Sequence, residues 1–205
     1  MKKYKKLVFI GDSVTAANRT ISRPNGRGYV EKIEAQMPTF WDVVNKGVNG
    51  NRLADLDQRW EGDVLRLYPD AVSINIGVND SWKRFFGPDP TPHNKFRVLY
   101  TRLIIETLAF SPDMKIILCE PFILPVSKKK QEDRRDLERK IETVHHLANE
   151  FSILVVPFDT HLNLLMETVK PSLISKDGIH PTNFANNEMA RLWTDTCLQY
   201  LSPEN

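Results

Sequence analysis

Leu7-Val8-Phe9-Ile10-Gly11-Asp12-Ser13 is the stretch on which the reading of this chain turns. Four consecutive apolar residues, cut short by a glycine, read as a short strand buried on both faces. A turn at Gly11 would leave the Ser13 hydroxyl at the carboxyl edge of a sheet. A serine there can act as a nucleophile once a histidine reaches it. Far downstream, Asp177-Gly178-Ile179-His180-Pro181 supplies a histidine with a carboxylate of its own.

Working outward from residues 7–10, further strand-like runs occur at 41–45, 71–76, 115–119 and 154–158. Amphipathic segments separate them. Leu53, Leu56, Trp60, Val64 and Leu67 fall at spacings of three and four, as do Leu137, Ile141, Val144, Ala148 and Phe151. Helices are also expected at 29–37, 94–109 and 182–201. The alternation predicts an α/β fold, a three-layer α/β/α sandwich of the doubly wound type with a five-stranded parallel sheet. In the strand order 2-1-3-4-5, the crevice lies beyond the carboxyl ends of strands 1 and 3. Without repeats, linkers or low-complexity tracts, residues 1–205 are expected to form a single domain.

The loops after those strands carry the chemistry. Ser13 follows strand 1, Asn45 through Gly50 follow strand 2, Gly77-Val78-Asn79-Asp80 follow strand 3, and Asp177 to His180 come late. Acyl transfer through serine needs a base, a group that orients the base, and donors for the oxyanion. His180 is the candidate base and Asp177 its orienter; in one helical turn, a spacing of three would bring the carboxylate to Nδ1. The Ser13 N–H, the Gly50 N–H at a helix start, and the Asn79 amide are the candidate oxyanion donors. Each piece alone is commonplace: a cap, a turn, a surface pair. Together, in this order, they suit one reaction.

On Gly11-Asp12-Ser13, Gly50, Gly77-Val78-Asn79-Asp80 and Asp177-Gly178-Ile179-His180-Pro181, the chain resembles the SGNH, or GDSL-type, serine hydrolases. The resemblance implies a flavodoxin-like fold, no metal and no cofactor. It implies Ser13 as nucleophile, His180 as base, Asp177 as orienter, and Ser13, Gly50 and Asn79 as the oxyanion hole. A narrower similarity, over residues 43–51, 55–64 and 77–82, is to bacterial intracellular acetylxylan esterases of that family. It implies short-chain, chiefly acetyl, esters of carbohydrates such as xylo-oligosaccharides as substrates. The loop between Ser13 and Tyr29 differs from that pattern.

Composition narrows the partners. Lys plus Arg number 28 against 26 Asp plus Glu, too balanced for a nucleic-acid partner. The four-residue apolar run after the first lysines is shorter than a signal-peptide core of about 7–15 residues, so no membrane insertion and a cytoplasmic location are expected. Cys119 and Cys197 are expected to be reduced and buried. Of five histidines only His180 lies in a motif, which disfavours a metal phosphoesterase. A small acyl ester is the expected partner. A homo-oligomer is possible, with Trp41 or Trp193 as candidate contacts.

Other residues read more plainly. Asp12 is expected to bond its own loop and His145 and His146 to be surface residues, while His93 and His161 have no partner visible in the sequence. Arg19, Arg23 and Arg27 are expected to be solvated, or else to touch a polar leaving group. Trp82, Phe85 and Phe86 suit a sugar platform or ordinary packing. A lysophospholipase or thioesterase on the same triad, an acetyltransferase, and a non-catalytic flavodoxin-like binding module are the alternative readings. No glycine-rich nucleotide loop supports the last.

Overall fold

The computed structural model describes residues 4–81 and 89–202. Strands β1 (Lys5–Gly11), β2 (Trp41–Gly47), β3 (Ala71–Asn75), β4 (Lys115–Cys119) and β5 (Leu154–Val156) form one sheet of order β2-β1-β3-β4-β5. Every pair is parallel; Phe9 of β1 stands between Asn45 of β2 and Ser73 of β3. Trp82, Phe85 and Phe86 lie outside the described residues.

The helices are α1 (Ser13–Ala16), α2 (Tyr29–Glu34), α3 (Leu53–Asp63), α4 (Val78–Ser81), α5 (His93–Phe110), α6 (Lys128–Phe151), α7 (Phe158–Leu165), α8 (Pro171–Ile174) and α9 (Asn183–Leu201). Strand alternation sends Leu7 and Phe9 to one face and Val8 and Ile10 to the other. Leu7 and Phe9 pack with Tyr29 and Ile33 of α2, Leu162 of α7, and Met189 and Trp193 of α9. Val8 and Ile10 pack with Leu53 and Trp60 of α3, Tyr100 and Leu103 of α5, and Val144 and Leu147 of α6. Both faces are thus covered, which gives the three-layer, flavodoxin-like sandwich and explains why β1 is apolar at every position from Leu7 to Ile10. Full burial of each such side chain stabilises by about 1.5–3 kcal/mol. The two core indoles are satisfied as well: Trp60 Nε1 donates to Thr107 Oγ1 at 3.1 Å and Trp193 Nε1 to Ser73 Oγ at 3.0 Å.

Several expectations need correction. Trp193 is wholly buried inside its own chain, so it is no subunit contact. The segment expected as helix 29–37 ends at Glu34, because Pro38 follows closely and the Gln36 and Met37 amides turn back onto Ile33. Residue 182 is not helical; the Thr182 hydroxyl caps α9 by accepting from the Ala185 amide at 3.3 Å. His161 Nε2 stands 3.5 Å from the Glu188 carboxylate, and His93 Nδ1 stands 3.5 Å from Thr143 Oγ1. Both cysteines are free and buried; burial pushes the Cys119 thiol up to about 12, which keeps it unreactive. Among the described residues no helix is long and apolar enough to cross a membrane.

Candidate active site

Because all five strands run the same way, the segments after β1, β2 and β3 emerge at one edge. Asp12 closes β1 and caps α1, its Oδ1 accepting the Val14 amide at 2.9 Å, so it bonds its own loop as expected. Ser13 opens α1, and its Oγ lies 3.0 Å from His180 Nε2. His180 Nδ1 lies 2.6 Å from Asp177 Oδ2. The two ends of the sequence therefore meet.

The carboxylate reaches the imidazole in a way the spacing did not predict. Residues 175–181 form a tight loop, closed by a bridge between Ser175 and Pro181, rather than a helical turn. Gly178, at φ +82°, takes a left-handed conformation that a helix cannot include. Asp177 Oδ1 accepts the Ile179 amide at 2.9 Å and the His180 amide at 2.8 Å, leaving Oδ2 for the ring. Burial pushes the Asp177 carboxyl up, but the bonds from the His180 ring and the two backbone amides outweigh it. They hold it well below the usual carboxylate range, so an anion stands beside the imidazole. Buried Ser175, absent from the sequence reading, accepts the Gly178 amide at 2.9 Å and lies 3.1 Å from Asp177 Oδ1.

A second layer holds this loop from behind. The Leu124 amide donates to the Gly178 carbonyl at 2.8 Å. Arg134 donates to the neighbouring Ile123 carbonyl at 3.0 Å and clasps Asp159 with two bonds of 2.7 Å. Buried Glu120, at the end of β4, accepts from the Thr160 amide at 2.9 Å and lies 2.6 Å from His145 Nε2. His145 lies on the surface as expected, and it also pairs with this buried acid. His146 sits on the surface too, between Arg97 and Glu150.

Gly50 and Asn79 come together through Asn51. The Asn79 amide donates to the Asn51 carbonyl at 3.0 Å. Gly50 occupies a turn closed from the Asn51 amide to the Val48 carbonyl, with φ +79°, which only glycine adopts at little cost. It precedes the Arg52 cap of α3, so the expected help from a helix dipole does not apply. Asp80 fastens the arrangement, accepting the Leu53 amide at 3.0 Å and the Thr91 hydroxyl at 2.6 Å.

Arg59 of α3 is the residue that sequence reasoning passed over. Its Nε donates to Asn51 Oδ1 at 2.8 Å, Nη1 to the Lys46 carbonyl at 2.8 Å, and Nη2 to the Gly11 carbonyl at 3.3 Å. One guanidinium thus ties the ends of β1 and β2 to the turn beside Gly50, while Asp63 pairs with it at 2.6 Å. Its one signal was its place in the 55–64 stretch of the narrower similarity, which did not say what it holds.

Ser13 and His180 open into a cavity of about 360 Å³ whose lining includes Asn18, Arg27, Asn49, Asn183 and Asn186. Arg19 is not simply solvated, since its Nε donates to the Gly47 carbonyl at 2.7 Å. Among the described residues no group of three or more His, Cys, Asp or Glu could hold a metal ion.

Comparison with known proteins agrees with this geometry. Residues 9–185 match the model of the GDSL-like Lipase/Acylhydrolase family. An acetylxylan esterase of Geobacillus stearothermophilus is 32% identical over 91% of this chain and 90% of its own length. The crystal structure of an acetylxylan esterase from that organism superimposes with a TM-score of 0.83 at 30% identity, covering 96% of each chain. Catalytic mutants of that esterase replace a serine, an aspartate and a histidine. Thioesterase 1/protease 1/lysophospholipase L1 of Escherichia coli is 25% identical over 87% of this chain and 76% of its own. The chain belongs to the GDSL-like lipase/acylhydrolase family, and is a serine hydrolase of carboxylic esters.

Proposed function

We propose that the enzyme removes acetyl groups from carbohydrate esters such as acetylated xylo-oligosaccharides, through an acetyl-enzyme on Ser13. The observation that carries this reading is the continuous relay from Ser13 Oγ through the His180 ring to Asp177, at 3.0 and 2.6 Å. His180 Nε2 takes the Ser13 proton as Oγ attacks the acetyl carbonyl. Asp177 holds Nδ1–H and stabilises the imidazolium that results. The negative charge gathering on the carbonyl oxygen is met by the Ser13 N–H, the Gly50 N–H and the Asn79 amide. Each such donor contributes about 10²–10³ in kcat. His180 then returns its proton to the departing sugar oxygen. Water, activated by the same ring, repeats the sequence to release acetate.

The lining of the cavity favours a sugar as the alcohol. Four asparagines and an arginine surround the opening, against the apolar Val14, Ala17 and Pro181. Amides match the hydroxyls of a pyranose, whereas a long acyl chain would need an apolar trough. The catalytic serine, aspartate and histidine of the Geobacillus stearothermophilus esterase give the same set of residue types. The test is acetate release across acetylated xylo-oligosaccharides, monosaccharide acetates and lysophospholipids. Turnover of the sugar esters, with p-nitrophenyl esters slowing beyond short acyl chains, fits the proposal. A rate optimum beyond about C6, or hydrolysis of lysophospholipid alone, replaces it with the lipase or thioesterase reading that the Escherichia coli relative suggests.

A further inference from the structure

From Ser13 to Val30 the chain carries Arg19, Arg23 and Arg27 and not one acidic residue. The folded loop puts two of these cations at the mouth of the site. Arg27 lines the Ser13 cavity, and Arg19 lines a neighbouring cavity of about 570 Å³ together with Thr20, Ile21 and Pro24. Asn18 and Asn49 line both, so the two spaces adjoin across a saddle of two amides. Among the described residues no aspartate or glutamate lines either one. Asp177 stands behind the His180 ring, its oxygens engaged as described above.

The Arg19 and Arg27 side chains are both exposed, and the backbone that carries them is held in place. Ala17 and Asn18 both adopt left-handed backbone, at φ 41° and 59°, and turn the chain sharply after α1. The Arg27 amide then closes the loop onto the Ala17 carbonyl at 2.9 Å. Asn25 staples it to β2, accepting the Asn45 amide and donating to the Val43 carbonyl, both at 3.0 Å. Elsewhere Arg59, Arg66, Arg97, Arg102, Arg134 and Arg191 each face a carboxylate. The Arg27 side chain has no such partner among the described residues. Arg19 commits only its Nε, leaving both Nη groups without one.

The geometry of acyl transfer says what occupies this groove. His180 Nε2 protonates the departing oxygen, so the alcohol lies on the His180 side, in the cavity that Arg27 and Asn18 line. Any further sugar units extend across Asn18 and Asn49 toward Arg19. A neutral glycan would use the amides but leave two cations unanswered. We propose that this groove recognises an acidic carbohydrate: an acetylated oligosaccharide carrying a uronic-acid carboxylate close to the acetylated ring, with Arg27 and Arg19 as its specificity determinants. The assignment rests on the reading of Ser13 as a carbohydrate deacetylase. Arginine suits the role because its planar fork meets a carboxylate with two parallel bonds.

The experiment compares kcat/KM for three acetyl esters: a neutral xylo-oligosaccharide, the same backbone bearing a glucuronic acid, and a sugar phosphate. At low salt the uronic acid ester is expected to be preferred over the neutral one by about five- to tenfold, the reach of two partly exposed ion pairs. The gain should lie in KM and collapse at high salt. Arg27→Gln should reduce the preference to about twofold, while Arg27→Lys keeps most of it by keeping the charge. Equal rates on the neutral and acidic sugars overturn the proposal, as does a preference that survives high salt or persists in the Arg19→Gln/Arg27→Gln double variant. A stronger preference for the phosphate ester overturns the carboxylate assignment. Loss of all sugar-ester turnover, with p-nitrophenyl acetate still cleaved, would instead fail the carbohydrate reading and the groove with it.

Discussion

Replacing Arg59 with leucine tests how the oxyanion side of the site is held. The guanidinium bonds to Asn51 Oδ1 and the carbonyls of Lys46 and Gly11, and pairs with Asp63. Leucine keeps much of the bulk and removes every donor. A hydrogen bond from a charged group contributes about 1.5–3 kcal/mol, and the bonds to Asn51 and Lys46 are the two shortest to uncharged acceptors, so a loss of about 3–6 kcal/mol is expected. For a chain of this size that is a fall of about 6–24 °C in Tm. Catalysis should suffer separately. Asn51 would lose its tether, and through its carbonyl so would the Asn79 amide. Displacing an oxyanion donor by a fraction of its bond length forfeits part of the roughly 10²–10³ it supplies, so kcat should fall about 10–100-fold with KM little changed. Arg59→Lys keeps the pairing with Asp63 but cannot span three acceptors, and should lie between. Initial rates on p-nitrophenyl acetate, taken well below each variant's melting temperature, separate the two effects. Wild-type kcat in Arg59→Leu, with only Tm reduced, would show that the residue braces the fold and positions nothing.

Further outcomes follow from the same contacts. The Asp177 carboxyl is held below the usual carboxylate range, so it stays ionised well below neutral pH. The acid limb of kcat/KM should therefore carry no contribution from Asp177 and have a slope no steeper than one; a limb of slope two would contradict this. Burial pushes the Asp63 carboxyl up, yet bonds from Arg59 and Lys46 bring it below its ordinary value. Its stabilising contribution is present above the ordinary carboxylate range and is lost as pH falls through the lowered value. Arg59→Leu should remove that acid-side dependence in pH-resolved melting curves. Gly178→Ala places a Cβ 2.7 Å from the Leu124 carbonyl at φ +82°. It should cost about 2 kcal/mol and reduce kcat by displacing Asp177 and His180; unchanged melting and turnover would show that the loop tolerates the shift.

The strands and the catalytic order were legible because both are written locally. Residues 7–10 are apolar without interruption, and 71–76 are interrupted only by the buried Ser73 and Asn75, because helices cover both faces, and each polar loop follows its own strand. Helix ends were less legible where a cap decided them, as Thr182 does for α9. The Asp177 loop was misread because the i, i+3 spacing suits a helical turn, while Gly178 directs the backbone elsewhere. Partners distant in sequence left no mark at all. His145 is exposed, as its helix position suggested, but nothing there announced its acid, Glu120, which follows a strand 25 residues earlier. Arg59 fell within the stretch similar to acetylxylan esterases, but its task was not legible, because its acceptors lie on other segments and two of them are backbone carbonyls. The loop from Ser13 to Tyr29 showed its charge but not its closure, which depends on the Arg27 amide finding Ala17.

Rapid mixing with p-nitrophenyl acetate, followed by acid quench and peptide mass analysis, addresses the covalent step itself. A burst of nitrophenol matching the enzyme concentration is expected, with one acetyl group on the peptide containing Ser13 and neither signal in Ser13→Ala. Steady hydrolysis by Ser13→Ala at the wild-type rate, or acetyl carried on any other residue, would contradict the account.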